Sequence, residues 1–209
     1  MKRLIGIFLL SFTILHCNVL FADDADKDAD WVLVTEDNDI KVFERWVSLD
    51  KQRARERSGK MILNCTPEDL LAVLTDVSKI DYWMSNVDEC RVIDRIGNDE
   101  WFVYTVMDAP WPVGKQDFVS KYVVTRKGDR IILDIRQQTG LVPKKKNIDR
   151  LDTFSASWEI VPISDNIIDV RFTTQSTQPA KYPNWVQDPI VRKTFLQNMR
   201  KLRRQMHKG

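Results

Sequence analysis

Apolar and polar residues alternate with a period of two along most of this chain. Residues 31–34 and 40–47 alternate on either side of Glu36-Asp37-Asn38-Asp39, a composition that favours a turn, so the spacing predicts a hairpin. Residues 53–63 extend this pattern but are rich in charge. Those charges place the strand near a sheet edge, where they discourage unwanted pairing. The period then changes. Thr66, Pro67, Glu68 and Asp69 have the form of a helix start, with Thr66 as N-cap, Pro67 in the first position and acids in the first turn. Leu70, Leu71, Val73, Leu74 and Val77 supply the apolar face, and a short second helix or turn is expected over residues 78–84.

The strand period returns over residues 90–175. Segments 91–96 and 100–107 flank Gly97-Asn98-Asp99. Segments 117–126 and 130–137 flank Lys127-Gly128-Asp129. Segments 151–161 and 167–177 flank Ser164-Asp165-Asn166. Six consecutive strands with tight turns imply an antiparallel meander. Tyr182-Pro183-Asn184 then opens a long terminal helix, in which Val191, Phe195, Met199, Leu202 and Met206 recur at helical spacing on one face. Together these elements predict an α+β fold, a curved antiparallel sheet around a long C-terminal helix. If the sheet bends strongly, the helix cannot fill the concavity, and an internal tunnel remains.

The N-terminus changes the setting. Lys2 and Arg3 precede an apolar run over residues 4–21, with a small residue at Ala22. Residues 1–22 therefore read as a signal peptide, and the protein as exported, periplasmic if the host is a Gram-negative bacterium. Removing them takes the chain from 32 basic and 30 acidic residues to 30 of each, which argues against a nucleic-acid binder. Residues 23–30 hold five aspartates and are expected to be disordered, leaving one domain over residues 31–207. Arg192, Lys193, Arg200, Lys201, Arg203 and Arg204 make the terminal helix basic. They form either a solvated face or a transient contact with a membrane surface. Cys65 and Cys90 remain after processing, and an oxidising compartment permits a bridge without requiring one.

The residue inventory excludes several chemistries. Of the two histidines, His16 leaves with the signal and His207 sits near the end. Histidine-based nucleophilic catalysis and His-ligated zinc therefore have no support, and no glycine-rich phosphate loop is present. No cofactor and no metal are expected. Asp94, Asp134, Asp152 and Glu159 alternate with apolar residues and are expected to face solvent. What remains is apolar bulk on strands, suited to a cavity that encloses a hydrophobic molecule at roughly 0.8 kcal/mol per buried CH2.

Several stretches together resemble a known family. They are Ile40-Lys41-Val42-Phe43 with Trp46, Leu74-Thr75-Asp76-Val77 with Trp83-Met84-Ser85-Asn86-Val87, and Ala109-Pro110-Trp111-Pro112 leading to Asp117-Phe118-Val119-Ser120. In order and spacing the chain is similar to START domains, the steroidogenic-acute-regulatory-related lipid-transfer domains of the helix-grip superfamily, and to their bacterial exported members. The resemblance implies a sheet gripping the C-terminal helix, with one lipid or sterol-like ligand in the tunnel. It also implies that Pro110-Trp111-Pro112 forms a loop at the tunnel mouth beside that helix. Trp111 would then be either a gate packing on Val191 and Phe195 or a permanent plug. The family's arginine before the Asp-Phe-Val motif is Gln116 here, so no headgroup contact is carried over.

The expected ligand-binding residues, for pocket and gate, are Tyr104, Trp111, Phe118, Leu133, Phe154, Trp158, Phe172, Val191 and Phe195. The expected function is binding and transport of one lipid by a monomeric, non-enzymatic protein. The alternative is a cyclase or aromatase-like enzyme of the same superfamily, which needs a buried carboxylate or an inward Tyr104/Tyr122 pair. A further alternative is an interaction module whose cavity is filled by its own side chains.

Overall fold

A computed structural model describes residues 31–49, 52–111, 113–177 and 182–207. The signal segment 1–22 and the acidic stretch 23–30 lie outside the described residues. Strands β1 (Val32–Asp37) and β2 (Ile40–Leu49) form the first hairpin. Its two-residue turn, Asn38-Asp39, has positive φ at both positions, the left-handed geometry that tight hairpins favour and short polar side chains tolerate. After β3 (Gln52–Leu63) the chain enters helix α1 (Pro67–Thr75). Thr66 and Asp69 cap it reciprocally: the Asp69 N–H donates to Thr66 Oγ1, and the Thr66 N–H donates to the Asp69 carboxylate. A 3-10 helix, Val77–Tyr82, follows.

The predicted meander then appears as β4 (Val87–Arg95), β5 (Glu100–Ala109), β6 (Gly114–Lys127), β7 (Arg130–Gln138), β9 (Phe154–Ser164) and β10 (Ile167–Ser176). Between β7 and β9 lies a short strand not read from the sequence, β8 (Asp149–Arg150), which pairs in parallel with β6. The sheet order is β1-β2-β3-β10-β9-β7-β6-β5-β4, and every pair on that path is antiparallel. The terminal helix α2 (Asn184–Met206) buries Phe195, Leu196, Met199 and Leu202. Among the described residues no helix is long and apolar enough to cross a membrane.

The edge assignment for residues 53–63 is corrected. β3 is an interior strand, paired with β2 on one side and β10 on the other. Its charges are not edge guards, because Arg55 and Arg57 meet Glu44 of β2 and Asp188 of α2, while Glu56 meets Arg45.

One contact fixes how closely α2 approaches the sheet. A Cβ placed on Gly59 of β3 would come within 2.7 Å of the Phe195 ring and 3.1 Å of the Met199 methyl. The missing side chain is what lets the helix settle onto this strand.

Candidate functional site

The main core lies between the sheet's inner face and α2, with α1 and the 3-10 helix closing one side. Alternation decides which side chains enter it. On β6, Phe118, Tyr122 and Val124 face inward, while Asp117 and Val119 face outward. On β9 and β10, Phe154, Ala156, Trp158 and Phe172 contribute to the inner side.

A cavity of about 60 Å³ remains there. Its wall is mostly aromatic and aliphatic. Trp158 stacks on Phe172 at 4.2 Å between ring centroids, Phe172 stacks on Phe195 at 5.4 Å, and Trp83 meets Trp158 edge-on at 5.8 Å. Leu74, Ile80, Met84, Ile135 and Met199 fill the intervals. The polar members of the wall are Thr105, Tyr122, Asn198 and the Trp83 indole. Burial raises the Tyr122 phenol well above its ordinary value, so it stays protonated and can donate. Asn198 ties the helix to the short-helix segment, its Oδ1 accepting the Ser85 N–H at 3.0 Å. This volume is far below the roughly 300 Å³ at which pockets for small organic ligands begin. The tunnel is thus nearly closed by Phe195 and its stacking partners.

The expected site residues separate into groups. Phe118, Phe154, Trp158, Phe172 and Phe195 line the cavity together. Leu133 is fully buried in the surrounding core rather than in the wall, and Val191 is half-buried on α2 outside the wall. Tyr104 is corrected: it faces the opposite side of the sheet, in a second cluster with Val106 and Val119. The inward Tyr104/Tyr122 pair that the cyclase alternative asked for is therefore not formed. Trp111 is 73% exposed, so it does not plug the core. Its ring lies 5.6 Å from that of Tyr182, just ahead of α2. Trp185, on the first turn of α2, is 80% exposed. Trp83, Met84, Tyr122, Asn198 and Met199 were missed as wall residues, although Trp83-Met84 and Tyr122 stood inside stretches already singled out.

Two charged networks frame the cavity without entering it. At the start of α2, the Glu44 carboxylate is 3% exposed and accepts from Arg192 (2.6 and 3.0 Å), Arg55 (2.6 Å) and Arg57 (2.8 Å). Asp188 takes the other ends of Arg55 and Arg57 at 2.9 and 3.1 Å. Burial alone would raise the Glu44 carboxyl, but the hydrogen bonds from Arg192, Arg55 and Arg57 and the Arg57 charge outweigh it and bring it down to about 2. Farther along the helix, Arg200 pairs with Asp37 at 2.6 Å, and Arg203 donates to the Asn38 carbonyl. Three arginines of the basic helix therefore hold α2 against β1–β3.

The second network lies on the outer face. Asp117 is completely buried. It accepts Arg150 Nε and Nη2 at 2.7 and 2.9 Å and the Tyr104 hydroxyl at 2.9 Å. Arg150 donates further to the carbonyls of Val142 and Pro143. A buried arginine–carboxylate pair is thus present despite Gln116, with its guanidinium supplied by β8. Burial opposes ionisation of Asp117, but the Arg150 and Tyr104 hydrogen bonds prevail and lower its carboxyl.

Cys65 and Cys90 are both free thiols. Burial pushes Cys65 up to about 11 and raises Cys90, so neither is poised as a nucleophile. No group of three or more metal-ligating side chains occurs among the described residues. A wider, open depression of about 620 Å³ adjoins the cavity where the ends of β3, β7, β9 and β10 meet, and Phe154 and Ala156 border both. Its wall is largely hydroxyl-bearing, with Glu56, Asp134 and Arg136.

No family model matches the chain. It is 22% identical over 196 residues to an uncharacterized protein of Pseudomonas aeruginosa, spanning 93% of this chain and 96% of that one. Among solved structures it is similar to a STAR-related lipid transfer protein of Xanthomonas axonopodis (TM-score 0.75, 24% identity, 85% of this chain and 99% of that one). It is also similar to human StAR-related lipid transfer protein 5 (TM-score 0.75, 17% identity, 86% and 88%). A more distant likeness is to the Zhui aromatase/cyclase of Streptomyces (TM-score 0.54, 10% identity, 74% and 94%). The chain has the START, or helix-grip, fold.

Proposed function

We propose that this protein binds one lipid or similarly hydrophobic molecule between the sheet and α2 and carries it, without covalent chemistry. The observation that supports this most is the wall itself: an aromatic and aliphatic lining on the inner face, broken only by a few uncharged polar groups. A carrier needs burial and release, and these residues supply burial. The same wall argues against the cyclase alternative. Among the described residues its one titratable side chain is Tyr122, and the buried carboxylates Glu44 and Asp117 are bound in ion pairs outside it.

Entry requires movement, because about 60 Å³ cannot hold an acyl chain. Phe195 and Met199 of α2 and the connection between β5 and β6 form the gate in this proposal. The Trp111–Tyr182 ring contact favours it, since it joins that connection to the segment entering α2. The exposed rings of Trp111 and Trp185 are suited to a brief contact with the membrane interface during exchange. The basic side chains are less suited to it, because Arg192, Arg200 and Arg203 already serve the fold. Export through the segment 1–22, action as a monomer and the absence of a nucleic-acid partner complete the proposal.

A vesicle-to-vesicle transfer assay with an uncharged fluorescent lipid tests it. The mature protein should accelerate transfer in proportion to its concentration and retain one probe per chain. Rates equal to the protein-free control, with no retained probe, contradict it.

A further inference from the structure

Five buried side-chain polar atoms among the described residues have no hydrogen-bond partner: Arg55 Nε, Trp83 Nε1, Ser85 Oγ, Trp101 Nε1 and Ser120 Oγ. One of these residues is in the cavity wall. Trp83 lines the cavity and is more than nine-tenths buried. Trp101 lies directly opposite Tyr122 in the β5–β6 ladder, and Ser120 shares the inner face with Phe118 and Tyr122. Ser85 is tied through its backbone to Asn198. The fifth, Arg55, already bonds Glu44 and Asp188 through its other nitrogens.

Leaving a buried donor unmade is costly, and such atoms mark places where another molecule can complete the bonding. Asn198, a half-buried wall residue, contributes none of these atoms but can also donate. Because its Oδ1 accepts the Ser85 N–H, its amide nitrogen remains to donate. The wall therefore carries the Trp83 indole N–H, the Asn198 amide, the Tyr122 hydroxyl and the Thr105 hydroxyl, which lies 3.5 Å from the Cys90 sulfur, with no ionised group among its described residues.

Resting on the carrier reading above, we propose that the cargo is an uncharged molecule whose oxygen, a hydroxyl or a carbonyl, is received by Trp83 Nε1–H and the Asn198 amide. A carboxylate or phosphate brought to this wall would lose its hydration and meet no cation. The surrounding arginines cannot move in, since those of the α2 network sit on Glu44 and Asp188, and Arg150 sits on Asp117 across the sheet. The adjoining depression offers an anion no better seat, with Glu56 and Asp134 against Arg136. A ketone keeps its one acceptor bonded and buries the rest, and an alcohol can in addition donate to the Thr105 or Tyr122 oxygen.

The test uses the mature chain loaded with an uncharged environment-sensitive dye. The dye is displaced at pH 8 by four probes sharing a twelve-carbon chain: dodecanol, 2-dodecanone, dodecanoate and dodecylphosphocholine, each below its micelle concentration. The alcohol and ketone should displace the dye at concentrations at least tenfold lower than the two charged probes. Trp83→Phe keeps the ring and removes the N–H, and it should weaken the ketone about fivefold. Dodecanoate or dodecylphosphocholine acting as well as dodecanol overturns the inference while leaving the carrier reading standing. Unchanged ketone affinity in Trp83→Phe removes the assigned contact. Failure of the dye and of all four probes to bind overturns the carrier reading, and this inference with it.

Discussion

β5 and β6 serve two regions of opposite character. Toward the helix, Thr105, Phe118 and Tyr122 border a small apolar cavity whose wall includes the unpartnered Trp83 indole N–H. One residue along, on the outer face, Tyr104 and Asp117 belong to a network in which Arg150 is bonded to a carboxylate and two carbonyls. Both regions are largely buried, and both contain polar atoms. In the outer one the polar groups answer each other, which makes it a piece of structure. In the inner one the Trp83 indole N–H has no partner, although Asn198 bonds Ser85 and Thr105 lies 3.5 Å from the Cys90 sulfur, and this opening is what the proposal assigns to a ligand. Burial alone does not separate the two; the state of the hydrogen bonds does.

The largest expected effect lies on the outer side. Asp117→Ala leaves the Arg150 guanidinium buried and unpaired, and should cost about 3–5 kcal/mol in urea denaturation. Pairing Asp117→Leu with Arg150→Met should recover most of that loss. An equal loss in the double variant would mean that packing, not charge, holds this cluster. On the inner side, Gly59→Val drives a side chain into Phe195 and Met199 and should cost about 1–3 kcal/mol. Because it lifts α2, it should also speed exchange of an uncharged probe severalfold. A slower exchange would show that α2 is not the moving part.

Trp111→Ala should leave stability within about 0.5 kcal/mol, since the ring is mostly exposed, yet change the transfer rate severalfold. Loss of folding with unaltered exchange in the folded fraction would contradict the gate. The smallest effect is expected from acid. Glu44 is held at about 2 against an ordinary 4.5. Its stabilisation is therefore complete above about pH 4.5 and fades as pH falls toward 2. The lowered Asp117 carboxyl acts in the same sense. Thermal scans of wild type and Arg192→Met should therefore differ by a constant amount from pH 8 to 5 and converge below 4. A difference that already narrows between pH 8 and 6 would assign the contact to another group.

Much of the architecture was legible in the sequence. The Thr66–Asp69 cap, the turn residues and the stripe on α2 are local signals, and each appears where the spacing put it. Two kinds of information were not local. The charges of β3 looked like edge protection because their partners lie on β2 and on a helix more than 130 residues away. The facing of Tyr104 was lost because residues 103–106 are all buried, so the alternation that tells inside from outside disappears. The cover that buries them includes Val142 and Ile148, from the segment between β7 and β8. Phe118, Phe154, Trp158, Phe172 and Phe195 were legible as wall because their strands and helix keep a clear period. Trp83 and Asn198 were not, because their role depends on a bond between Ser85 and α2.

The central claim is that the space between sheet and helix receives one uncharged hydrophobic molecule. Native mass spectrometry of the protein, purified gently from its own cells and paired with lipid extraction, tests it most directly. The account predicts one bound molecule per chain, lost on unfolding and recovered as a neutral species in the extract. A mass equal to the bare chain, unchanged after incubation with mixed lipids and sterols, would contradict it.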